Sequence, residues 1–131
     1  MTPALKEASS NTGVPFDVLA GVMIKESRGV SVNNMTNNAG GLMQLSQVKF
    51  EELQGRYPNL LNGKAWNSPE GQVMGAALFL KEMKAKSGSW DGAMALYNGD
   101  ENSGGKLNDP NYLTEIHKLM NDIDNHLPLP S

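Results

Sequence analysis

Apolar residues recur along this chain in steps of three and four, and the runs between them are rich in glycine and asparagine. Steps of three and four place side chains on one face of a helix, so the pattern predicts helices joined by polar loops. Thr2-Pro3 opens the first helix, with Leu5 and Ala8 inside, and Asn11-Thr12-Gly13 ends it. The second runs from about Pro15 to Ser27, with Phe16, Leu19, Ala20 and Met23 on one face. A polar stretch over 29–40 ends at Gly40-Gly41, and a helix over about Val48–Gln54 follows Leu42-Met43-Gln44-Leu45. The segment from Gly55 to Asn67 reads as irregular.

Ser68-Pro69-Glu70 is a strong helix start, with a serine N-cap and proline at the first position. Its helix extends to about Lys86, with Val73, Ala76, Ala77, Leu80 and Met83 on one face, and Ser87-Gly88 ends it. A short helix from Trp90 to Tyr97 places Ala93, Ala95 and Leu96 inside. After a second Gly/Asn loop, Asp109-Pro110 opens a last helix with Leu113, Ile116, Met120, Ile123 and Leu127 inside, and the Leu-Pro-Leu-Pro-Ser ending frays. No stretch alternates with period two and no linker divides the chain. The expected fold is therefore all-α, with at most a minor hairpin, as a single domain over 1–131.

Composition narrows the chemistry. The 131 residues contain no cysteine, which excludes disulfides, thiolate metal sites and thiol nucleophiles, and two histidines are too few for a histidine-rich metal cluster. The reading assigns no metal and no cofactor. A net charge of −3, with lysine and arginine scattered, argues against nucleic acid as a partner. No apolar run is long enough for a transmembrane segment, and the N-terminus carries no recognisable signal. Asparagine occurs 14 times, as often as glycine. It suits turns, and its neutral donor and acceptor also suit sugars and amides.

Glu26 lies on the helical side of Met23, Val22 and Leu19, so its carboxyl sits at the end of a stripe meant for the core. Burial and the negative end of the helix both raise a carboxyl pKa, and a carboxylic acid protonated near neutral pH is what a general acid requires. The plain alternative is a glutamate that turns outward beside Lys25 and Arg28. Two further features are Gly40-Gly41-Leu42-Met43-Gln44 and Tyr97-Asn98-Gly99. Alone, the first is a loop entering a helix, and a helix C-cap explains the second equally well.

Taken together and in order, Glu26-Ser27, Gly41-Leu42-Met43-Gln44, Ala95-Leu96-Tyr97-Asn98 and the late Tyr112 resemble the soluble lytic transglycosylase family, a lysozyme-like catalytic domain related in type to goose lysozyme. The resemblance extends over roughly Val14 to Ile123. It implies cleavage of the β-1,4 bond between N-acetylmuramic acid and N-acetylglucosamine in peptidoglycan glycan strands, ending in a 1,6-anhydromuramoyl product. Glu26 would be the sole acid and base. Such substrate-assisted routes are an exception to the two-carboxylate rule. The resemblance also implies that Met43 and Gln44 line the cleft floor. Tyr97 would orient Glu26 or the N-acetyl group through its hydroxyl, Asn98 would hold the turn or a sugar substituent, and Tyr112 would pack toward the cleft.

Independently of the resemblance, no aspartate or glutamate occurs from Ser27 through Lys49, which fits a single-carboxylate site. The chain departs from the family pattern at several points. Met35 stands where a serine is usual, with Thr36 beside it as the candidate hydroxyl. Met43-Gln44-Leu45-Ser46-Gln47 lacks a methionine and a proline of the family motif, Gly99-Asp100-Glu101 replaces Ala-Gly-Pro, and the acidic position before the late tyrosine is absent or displaced to Asp109. The competing readings are a muramidase that hydrolyses the same bond with water, and a catalytically silent glycan-binding or virion module. Action on the cell wall, with no signal in view, suggests delivery by a phage virion, by a secretion assembly, or as a module of a larger exported protein.

Overall fold

The computed structural model describes residues 2–27, 42–99 and 111–126, with the backbone alone for Thr2, Ser27, Asn98, Gly99 and His126. The described residues form helices and turns, with no strand among them. The elements are α1 (Thr2–Thr12), α2 (Phe16–Ser27), α3 (Gln47–Arg56), α4 (Pro58–Leu61), α5 (Pro69–Ser87), α6 (Trp90–Gly99) and α7 (Tyr112–His126). The frayed ending, the polar stretch over 29–40 with its Gly40-Gly41 step, the Asp109-Pro110 helix start and most of the second Gly/Asn loop lie outside the described residues.

Helix α5 is the axis of the molecule and packs against α1, α2, α3, α4 and α6. Its start is fixed as the sequence predicts: the Ser68 hydroxyl accepts from the Gly71 N–H at 2.9 Å, and Pro69 takes the first turn. Its end is set by Gly88 in the left-handed region at φ 89°, whose N–H donates to the Lys84 carbonyl. The expected apolar stripe is wider than one face. Every residue from Gly71 to Leu80 is buried, together with Met83. A helix wrapped by neighbours on all sides loses its solvated face, so amphipathic spacing underestimates its burial.

Two other expectations are corrected. The segment 55–67 is not wholly irregular: α3 continues to Arg56, and a single helical turn, α4, starts at Pro58 and buries Leu61. In α6 the inward residues are Ala93, Met94 and Tyr97, while Ala95 and Leu96 are half-buried. Small apolar residues on a ten-residue helix leave its facing direction undetermined until its neighbours choose a side.

Helices α2 and α7 pack against each other and place the chemistry. Leu19, Ala20, Val22 and Met23 of α2 and Tyr112, Ile116 and Ile123 of α7 are buried. Their approach depends on Gly21, where a Cβ would lie 3.1 Å from Met120 Cγ and 3.6 Å from Ile116 Cγ2. Gly75 does the same for the segment leading into α3, since a Cβ there would sit 2.6 Å from Leu45 Cδ2.

Candidate active site

The stripe that buries Leu19, Val22 and Met23 carries Glu26 inward with them, as the helical spacing requires. The Tyr112 hydroxyl, from the first turn of α7, donates to Glu26 Oε2 at 2.8 Å. The carboxyl is pushed up from its ordinary value to about 7, chiefly because burial penalises its charged form. The Tyr112 hydrogen bond and the positive charge of Lys25 oppose that rise and do not cancel it. Tyr112 is itself held far above the ordinary phenol range, first by burial and then by the neighbouring Glu26, so it acts here as a neutral donor.

A second cluster builds the wall beside this acid. Residues Met43, Gln44 and Leu45 cross in front of α5 as non-helical chain. Gln44 has φ 56°, a left-handed conformation that a side chain with a Cβ rarely takes. The backbone N–H and carbonyl groups of its two neighbours, Met43 and Leu45, are all engaged. The Gln72 amide oxygen accepts from the Met43 N–H at 3.3 Å and the Leu45 N–H at 3.2 Å. The Gln72 amide nitrogen donates to the carbonyls of Leu45 at 3.1 Å and Trp66 at 2.9 Å. The Trp66 indole also donates to the Leu45 carbonyl at 2.7 Å, and the Tyr97 hydroxyl donates to the Met43 carbonyl at 2.6 Å. Neighbours that fix both sides of a residue can hold it in a conformation it would otherwise avoid.

This arrangement changes one expectation. The hydroxyl that reaches Glu26 comes from Tyr112, whereas that of Tyr97 is committed to the Met43 carbonyl. Tyr97 has no solvent exposure, its ring packs 5.2 Å from that of Phe79, and its phenol is raised well above normal by burial and by the charge of Glu26. It stands beside the acid and supports the wall from behind. Met43 is also fully buried, so its side chain belongs to the core and does not line an open surface. Gln44 is half-buried. Ser27 is the last residue of α2, as expected, and Asn98 lies within α6, which runs to Gly99 and so past the expected end at Tyr97; both side chains are outside the description, and Thr36 lies wholly outside it.

Sequence reasoning missed Gln72. A signal was present: an amide embedded in the run Gln72-Val73-Met74-Gly75-Ala76-Ala77 has no solvated face to turn to, so it must bond to something buried. Among the described residues no group of three or more metal-ligating side chains comes together. No described helix is long and apolar enough to cross a membrane.

The family model for the transglycosylase SLT domain matches residues 3–119, a span that holds both clusters and reaches from α1 into α7. No curated protein and no solved structure matches the chain.

Proposed function

The chain belongs to the transglycosylase SLT domain family, whose activity is lytic cleavage of cell-wall peptidoglycan, and on that premise we propose that Glu26 is the single acid and base of the reaction. The observation that carries this reading is the Glu26 carboxyl, turned inward on α2, held by the Tyr112 hydroxyl and pushed up by burial to about 7. Tyr112 donates to Oε2, so the carbonyl-type oxygen of the protonated acid is Oε2 and the transferable proton is on Oε1.

The bond broken is the β-1,4 link between N-acetylmuramic acid and N-acetylglucosamine. Oε1–H protonates the glycosidic oxygen, the C1–O bond breaks, and the substrate's own acetamido oxygen closes on C1. The Glu26 carboxylate then takes the proton of the muramoyl 6-hydroxyl. O6 displaces the acetamido oxygen from C1, giving the 1,6-anhydro end and returning the proton to Glu26 without consuming water. The stretch from Ser27 through Lys49, free of acidic residues, supports a route with one carboxylate. Gln44, on its clamped backbone, offers an amide to the sugar substituents, with Ser27, Thr36 and Asn98 as further polar candidates for binding the glycan.

The test is mass spectrometry of sacculi digested by the wild type and by Glu26→Gln. We expect 1,6-anhydromuramoyl ends from the wild type and a loss of about a thousand-fold in turnover for the variant, within the usual range for a general acid. Reducing ends would instead make the protein a muramidase. Equal turnover in both would make Glu26 a bystander and favour a silent glycan-binding module.

A further inference from the structure

Lys25 and Glu26 are consecutive on α2, and Tyr112 and Glu115 are one turn apart on α7. Across the seam they form two matched pairs. Tyr112 holds Glu26, and Glu115 forms an ion pair with Lys25. The Lys25 ammonium lies 6.0 Å from the centre of the Tyr112 ring, within reach of its π face. Lys25 is mostly buried, at 16% exposure, while Glu115 is about half exposed at 48%. A cation this sheltered needs a negative partner, and it interacts with the carboxyl groups of both Glu115 and Glu26.

We propose that Glu115 is a positioning residue for the acid: by pairing with Lys25 across the α2–α7 seam it keeps the ammonium over Tyr112 and off the Glu26 carboxyl. A lysine that closed on Glu26 would convert the proton donor into an ion-paired carboxylate. Among the described residues, the charged and titratable groups facing Glu26 are Lys25 on its own helix, Tyr112 and (through Lys25) Glu115 on α7, and Tyr97 on α6. Of these, Lys25 is the one that favours the charged form through its positive charge, and Glu115 pairs with it from α7. The inference rests on Glu26 being the acid and adds the device that keeps it one.

The experiment is the pH profile of turnover on purified peptidoglycan for the wild type, Glu115→Gln, Lys25→Gln and the double variant, with Glu26→Gln measured alongside. Losing Glu115 removes the anchor that holds the lysine toward α7 and also removes a negative charge near the site, and both effects favour ionised Glu26. The alkaline limb of Glu115→Gln should therefore fall about half a pH unit lower, a loss of about three-fold in turnover at pH 8. The limb of Lys25→Gln should rise by a similar amount, and the double variant should lie between them. A loss of packing alone would not move the two single variants in opposite directions. A limb unmoved in Glu115→Gln, or limbs that move the same way in both, with Glu26→Gln inactive, overturns the role of Glu115 and leaves Glu26 as the acid. Full turnover in Glu26→Gln overturns both.

Discussion

Gln72 and Glu26 are polar side chains that helix packing carries inward, one on α5 and one on α2, and their surroundings treat them in opposite ways. Gln72 is fully buried and meets two N–H groups and two carbonyls, so its capacity to bond is matched. Glu26 meets the Tyr112 hydroxyl, and its burial still drives the carboxyl up to about 7. A matched amide holds backbone in place. An under-compensated carboxyl holds a proton. One cluster thus contributes geometry and the other reactivity, and a functional site is expected to be the place where stability is sacrificed.

The largest effect should come from breaking the matched side. Gln72→Leu leaves the Met43 and Leu45 N–H groups and the Trp66 carbonyl buried without their present partner, and should destabilise the protein by about 4 kcal/mol, read by urea denaturation. If the loss were under about 1 kcal/mol, Gln72 would not hold the Gln44 segment.

Breaking the other side should do the reverse. Between about pH 4.5 and 7 the folded protein keeps a proton on Glu26 that the unfolded chain gives up, so the folded state loses stability as pH rises through that window. Glutamine carries no such penalty. Glu26→Gln should therefore gain nothing near pH 4 and up to about 3 kcal/mol above pH 8. Melting temperatures at the two pH values check this, and an equal gain at both would contradict it.

The two tyrosines sharpen the contrast. Tyr97→Phe removes a donor from the buried Met43 carbonyl and should cost about 2 kcal/mol of stability with little movement of the pH profile of activity. Tyr112→Phe removes the hydrogen bond that restrains the rise at Glu26, so the alkaline limb of activity should move upward, with a smaller loss of stability than Tyr97→Phe. Exchanged outcomes for the two tyrosines would reverse their assignments.

Much of the frame was legible from the chain. The spacing of Leu19, Val22, Met23 and Glu26 placed the acid on the buried face of α2, and Ser68-Pro69 and Gly88 bounded α5, because caps and helical period are local properties. What escaped depends on contacts between distant residues. Gln72 finds its partners 27 and 29 residues back, and Tyr97 reaches 54 residues back to Met43. The ion pair of Lys25 and Glu115 exists only because α7 lies along α2, and α4 is one turn whose helical signal is shorter than any window that could detect it. The motif order indicated which residues belong near the site, and the hydrogen bonds decided which tyrosine serves the acid and which serves the wall.

The account turns on whether Glu26 holds its proton at neutral pH. A carbon-13 NMR titration of the glutamate side-chain carboxyls, with Glu26→Gln to assign the signal, measures this directly. The account predicts a Glu26 midpoint near 7. A midpoint near 4.5, the ordinary value, would contradict it.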